Sequence, residues 1–191
     1  MENKTLVLLA AGEATRLGQP KHLYPVRGRP WIEHQIEAAG ELGFTTILLV
    51  LGPRHEETFR KPTLPTLQIL RNPQPEYGPF SSLQCALGVV QGDFWLCPVD
   101  TPLPESEVLE KLDSMRGQAT LAQVPTVEGR GGHPVWISGR WIQKLKAFWP
   151  DDRLDKQLHL LGPNEIQRVA VESAEVLANL NSPEAFSKRF G

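Results

Sequence analysis

Cysteine is scarce in this chain: two thiols, Cys85 and Cys97, occur in 191 residues, with no CxxC spacing. That count and spacing argue against a disulfide framework or a cysteine zinc site. Both residues read as small buried apolar groups, Cys85 in a helical pattern and Cys97 in a strand pattern. An excess of either charge is lacking as well, because 20 Lys and Arg face 22 Asp and Glu for a formal charge of −2. With no global basic field, a nucleic-acid partner is not expected, and phosphate recognition has to come from local Lys, Arg and backbone amides. Long apolar runs are missing too. The N-terminal run TLVLLAA (5–11) is too short for a membrane span or a signal peptide, so a cytoplasmic location without a membrane partner is expected. The five histidines show no metal-ligand spacing, and His22, His34, His55 and His159 read as ordinary loop or helix residues. The five tryptophans form no stacking platform with basic residues. GxxxxGK[ST] and GxGxxG are both absent, which removes two familiar phosphate-loop readings.

What is present is alternation. With 40% hydrophobic residues the chain can build a sizeable core, and residues 1–191 read as one domain without repeat or linker. The run 5–11 has the pattern of a strand buried on both faces of a parallel sheet, which predicts a central place for it among the strands. Pro30 opens a helix along which Trp31, Ile32, Gln35, Ile36, Ala39 and Leu42 recur at helical spacing, ending near Gly43. Strands are expected at TTILLVL (45–51), TLQIL (66–70) and DFWLCPVD (93–100), with a short helix at HEETFRK and another capped by Ser81 or Ser82 and running to about Gln91. Further on come a helix from Pro104 to Met115, strands ATLAQV and HPVWI around the turn GRGG as a hairpin over the site, and helices near 139–148 and 153–161. A short strand IQRVAVE and a helix after Pro183 end the chain. Such alternation predicts an α/β fold with a doubly wound, mostly parallel sheet and flanking helices, binding ligands beyond the carboxyl ends of its strands.

Two places on that edge carry chemistry. In LAAGEATRLGQPK (9–21), small residues at Ala10, Ala11 and Gly12 let backbone amides approach a nucleotide, while Arg16 and Lys21 supply the positive charge a triphosphate requires. Asp100 ends an apolar strand, which holds its carboxylate rigidly where an oxygen ligand for Mg2+ would be needed; a capping role before Thr101 and Pro102 is the alternative.

Leu9-Ala-Ala-Gly12, Arg16, Gly18 and Pro20-Lys21 resemble the signature of the molybdenum cofactor nucleotidyltransferases, a branch of the sugar-nucleotide transferase superfamily. The resemblance covers nearly the whole chain, since RGRPWIEH, NPQPEYGPFSSL, CPVDTP, GGHPVWIS and NLNSPEAF follow in family order. It implies Leu9, Ala10, Ala11, Gly12, Asn72, Gly78 and Ser82 as nucleotide contacts, Arg16 on the β and γ phosphates and Lys21 near the α phosphate. Ser81 and Ser82 read equally as a turn and helix cap. It also implies metal contacts from Asp100 together with Asn181 and Asn179, and an acceptor side containing Gly132 and His133. A loop histidine bonded to backbone is the plainer reading of His133.

The resemblance implies residues 1–100 as a nucleotide-binding half and 101–191 as an acceptor-binding half. The implied activity is transfer of a nucleoside monophosphate from NTP to a phosphorylated acceptor, molybdopterin being favoured, with Mg2+ as cofactor and a molybdoenzyme as partner. Ala11 and Pro20 favour CTP, because glycine at position 11 would leave room for a purine; Asn179 and Asn181, where the cytidylyl branch carries aspartates, lean toward GTP. Alternatives are a sugar-phosphate or alcohol-phosphate nucleotidyltransferase, or a nucleotide-binding partner of molybdoenzymes without turnover.

Overall fold

The computed structural model describes residues 4–12, 17–54 and 65–191. The apolar run after Lys4 forms strand β1 (Thr5–Ala10), followed by a hairpin of β2 (Pro25–Val26) and β3 (Arg29–Pro30) and by helix α1 (Trp31–Glu41). Next come β4 (Thr46–Leu51), β5 (Thr66–Arg71), α2 (Pro79–Leu87), β6 (Phe94–Pro98) and α3 (Ser106–Ser114). The last third adds β7 (Ala122–Val127), β8 (Arg130–Gly131), β9 (Val135–Ile137), α4 (Ile142–Lys146), α5 (Leu154–His159), β10 (Ile166–Ala170) and α6 (Pro183–Phe190). The expected helix at HEETFRK lies outside the described residues.

The main sheet has eight strands in the order β10-β7-β9-β6-β1-β4-β5, with β8 on β7. β1 pairs in parallel with β4 on one side and β6 on the other, as its unbroken apolar pattern predicts. The chain builds outward from β1 through β4 to β5 and then returns to place β6 on the opposite flank, so the loops after β1 and β6 diverge and open a crevice.

Alternation along each strand sorts side chains to two layers. Leu6, Leu8, Leu49 and Cys97 pack with Trp31, Ile36, Leu109 and Phe186 on one face; Val7, Val50, Leu96 and Val135 pack with Leu83, Leu87, Trp141 and Leu158 on the other. The sheet is thereby covered on both sides.

Two expectations are corrected. ATLAQV and HPVWI do pair antiparallel with each other, β7 on β9, but not as a hairpin over the site: β9 lies between β6 and β7, inside the main sheet. The tight hairpin is β7–β8, turned by Glu128 (φ 49°) and Gly129 (φ 78°), the paired positive angles that suit two-residue turns. Nor does Ser81 or Ser82 cap α2. The helix starts at Pro79 behind Gly78, whose φ of 90° lies in the region glycine favours, and both serines fall in the first turn.

Leu49 is fully buried in β4. Leu49→Ala is expected to lower unfolding stability by about 2–5 kcal/mol, read as a shifted urea midpoint with unchanged slope.

Candidate nucleotide and acceptor site

The crevice beside β1 contains a cleft of about 200 Å³ lined by Leu9, Ala10, Ala11, Gly12, Lys21, Pro75, Gly78, Pro79, Ser82, Pro98, Val99 and Asp100. A larger cleft of about 760 Å³ adjoins it, sharing Leu9, Gly78, Pro79 and Pro98 and reaching Gly132, His133, Arg153 and Arg168. The small cleft takes its floor from the end of β1, one wall from the start of α2 and another from the turn after β6.

That turn is held by buried side chains of α1. Trp31 Nε1 donates to the Val99 carbonyl at 2.6 Å, Gln35 Nε2 donates to the Thr101 carbonyl at 2.8 Å, and Gln35 Oε1 accepts from Leu103 N at 3.1 Å. The backbone is fixed from two more sides, by Val99 N on the Leu9 carbonyl (2.9 Å) and Leu180 N on the Asp100 carbonyl (2.8 Å). Asp100 is thus presented on an immobilised backbone, with its carboxylate facing Lys21. Neither Trp31 nor Gln35 was expected at the site. The available signal was a polar residue, Gln35, within the apolar stripe of α1, which is only 1% exposed.

Lys21 opens a single-turn 3-10 helix (Lys21–Leu23). Its ammonium donates to Asp100 Oδ2 at 2.6 Å and to the side-chain oxygen of Asn181. Two oxygens from separate segments therefore converge on one cation, and the ammonium stands in for any positive ion placed between them. A hard divalent ion fits this donor chemistry, a carboxylate and an amide oxygen, with the rest of its coordination open to phosphate oxygens and water. Among the described residues there is no group of three or more His, Cys, Asp or Glu able to hold a metal.

Of the other expected contacts, Asn72 does not line the cleft. It is 1% exposed, its amide donates to Ser81 Oγ (2.8 Å) and Ser82 Oγ (3.0 Å), and its oxygen accepts from Gln74 N (2.9 Å). With its hydrogen-bonding capacity directed inward, Asn72 fixes the first turn of α2 instead of facing a ligand. Asn179 is exposed and is not brought to Lys21 or Asp100; its contact in this region is a backbone one, its carbonyl accepting from Asn181 N at 3.1 Å. Arg16 lies outside the described residues, as does His55. Cys97 is fully buried and burial pushes its thiol far up, which keeps it protonated and in keeping with a packing role.

Gly132 and His133 line the larger cleft. His133 N donates to the Val176 carbonyl at 2.8 Å, and a Cβ on Gly132 would meet that oxygen at 2.2 Å. Only glycine permits this approach, which ties the loop of Gly132 and His133 to the segment leading to Asn181. Burial pushes the His133 imidazole below its ordinary value, opposed by its hydrogen bond to the Leu96 backbone and by the charge of Asp100. Its Nδ1 is buried with no hydrogen-bond partner among the described residues. Sequence reading missed the other walls of this cleft, Asp151–Asp155 and Arg168, because they come from α5 and the edge strand β10, far apart in the chain.

Gly132→Ala is expected to cost about 1–3 kcal/mol of stability in urea titration, since the added methyl overlaps backbone, not a flexible side-chain tip. For His133 the sign follows from proton counting. The unfolded ring protonates below about 6.5 while the folded ring resists, so stability present above that pH is lost as pH falls. Urea midpoints at pH 7.5 and 5 should therefore separate more in the native chain than in His133→Gln.

Among the described residues no helix is long and apolar enough to cross a membrane. The chain is 28% identical over 192 residues to a probable molybdenum cofactor guanylyltransferase of Nostoc sp., covering 96% of this chain and 89% of that protein. It is 32% identical over 158 residues to the bifunctional protein GlmU of Granulibacter bethesdensis, covering 75% of this chain but 34% of that one. The chain thus spans about a third or less of the GlmU proteins it matches, 24% in another case. A crystal structure from Mycobacterium tuberculosis shares the fold at TM-score 0.79 and 24% identity over 98% of both chains, and a related structure from that organism is a manganese complex. The model of the MobA-like NTP transferase domain matches residues 6–168, and on that match this chain belongs to the MobA-like NTP transferase family of nucleotidyltransferases.

Proposed function

We propose that this chain transfers a nucleoside monophosphate from a nucleoside triphosphate to the phosphate of molybdopterin, releasing pyrophosphate. The observation that carries the reading is the convergence of Lys21, Asp100 and Asn181 at the mouth of a small cleft continuous with a larger one. Family membership and the guanylyltransferase relative support the acceptor assignment.

An acceptor phosphate oxygen forms the new bond to the α phosphorus as the bond to the β-phosphate oxygen breaks, in line, and pyrophosphate carries away the electron pair. The attacking phosphate is already ionised, so no side chain has to act as a strong base. Ala10, Ala11 and Gly12 offer a wall without bulk for the triphosphate. Lys21, released from Asp100 and Asn181, offsets charge at the α phosphate, and Arg16 does so at the leaving group. Mg2+, held by Asp100 and Asn181, would supply electrostatic stabilisation of the phosphate oxygens. Residues 1–100 contribute most of the nucleotide side, and 101–191 most of the acceptor side.

For the base, the methyl of Ala11, 2% exposed, narrows the first loop and favours CTP. The second reading is GTP, supported by the guanylyltransferase relative and by Asn181 in place of an acid.

The test is pyrophosphate release with Mg2+ and molybdopterin, comparing CTP, GTP, ATP and UTP. Release with one nucleotide is expected, abolished by EDTA and reduced on the order of a hundredfold or more in Lys21→Ala and Asp100→Ala. Binding of NTP without release with any acceptor would overturn the transferase reading in favour of a binding role.

A further inference from the structure

Several charged groups line the larger cleft, and Asp152, Arg153, Asp155 and His159 are already occupied. Arg153 makes a two-pronged pair with Asp155, Nε to Oδ1 at 3.0 Å and Nη2 to Oδ2 at 2.7 Å. Asp152 accepts from Arg153 N (2.7 Å) and Gln157 Nε2 (2.8 Å), and the His159 ring is bonded to the Asp155 carbonyl at 2.6 Å. Arg168 is the arginine of this lining whose guanidinium no ion pair or hydrogen bond engages among the described residues; Asp151 likewise makes none, and being an anion it does not compete for the same ligand. Three aspartates line the same cleft and none pairs with it.

Its position is set by the sheet. Arg168 stands opposite Val124 in the β10–β7 ladder, on the face that also carries Leu96 and Val135, and its Nη1 lies 3.7 Å from where a Cβ of Gly131 would be. The guanidinium therefore reaches inward across β7 to lie beside Gly131 of β8. Paired residues Trp95, Trp136, Gln123 and Gln167 mark one row across β6, β9, β7 and β10. Arg168 is one residue beyond that row, in the direction in which β6 runs on to Asp100. Three strand spacings of about 4.8 Å separate the two strands laterally, and four residues of about 3.3 Å separate the two positions along them. After both side chains reach inward, on the order of 10 Å remains between the guanidinium and a phosphate reacting beside Lys21 and Asp100.

We propose that Arg168 is the distal anchor of the acceptor. It receives, through its planar fork, a group presenting two adjacent hydrogen-bond acceptors that the acceptor carries on the order of 10 Å from its reacting phosphate. The inference rests on the transferase reading and deepens it: the substrate class is an elongated phosphate monoester with a second polar end, and short alcohol phosphates leave Arg168 unused.

The experiment measures pyrophosphate release with molybdopterin and, in parallel, with glycerol 3-phosphate, in the native chain, Arg168→Gln and Arg168→Lys. Arg168 is exposed, so the variants should melt as the native chain does. The expected result is an approximately tenfold rise in KM for molybdopterin in Arg168→Gln, a smaller rise in Arg168→Lys, and kcat and the KM for NTP within twofold. An unchanged KM for molybdopterin with turnover intact overturns the anchor and leaves the transferase reading standing. Turnover with glycerol 3-phosphate alone overturns the elongated-acceptor proposal together with the assignment of molybdopterin. If neither acceptor turns over, the transferase reading fails with them, and the anchor is decided by quenching of tryptophan fluorescence by molybdopterin: equal affinity in native and Arg168→Gln chains, or no binding, overturns it.

Discussion

The turn from Val99 to Leu103 depends on a small set of buried hydrogen bonds from α1, and the whole candidate site depends on that turn. Trp31 and Gln35 satisfy backbone groups that the end of β6 would otherwise leave unpaired in the interior, where each would carry a desolvation penalty of about 1–3 kcal/mol. Leu9 and Leu180 hold the same turn from the neighbouring strand and from the segment before α6. Three other parts of the chain thus agree on where the Asp100 backbone stands. A carboxylate mounted this way keeps its geometry when the charges around it change, which is what a ligand for phosphate-bound cations requires.

From this fixed point the two clefts follow. Asp100 and Asn181 both receive the Lys21 ammonium, whose charge is balanced by the Asp100 carboxylate. Polar groups that would meet a triphosphate are therefore held ready by one another and become available by exchange of partners. The segment that brings Asn181 also receives the His133 amide at Val176, with Gly132 in contact behind it. The loop carrying Gly132 and His133 is thus packed directly against the segment that leads to Asn181.

Much of the fold was legible because it depends on local patterns. Apolar runs at 5–11, 45–51 and 93–100 are short, bounded by loop residues and rich in Leu, Val and Ile, as strands buried on both faces are, and the helical stripe from Trp31 to Leu42 marks one face for burial. The placement of β9 was not legible. Its three residues, Val135–Ile137, pair with β7 as the sequence suggests, but they carry no mark of the second partner, β6, which takes the opposite edge and draws the pair into the main sheet. The serines of α2 were misread for a similar reason: a serine before an apolar run is a cap signal, but Gly78 and Pro79 already start the helix, which turns the serines inward to Asn72.

By itself the sequence determined the alternating α/β architecture, the central position of the first strand, and the location of small residues, Lys21 and Asp100 at strand ends, since these rest on periodicity and on residue chemistry within a few positions. Tertiary structure alone decided which side chains meet. It directed Asn72 inward, brought Asn181 but not Asn179 to Lys21, and left Arg168 without a partner among the described residues in a cleft where Arg153 is paired. Those outcomes depend on the register of strands and the path of loops separated by up to 160 positions, as between Lys21 and Asn181. No local pattern encodes such a distance, because it is the packing of the whole sheet that closes it.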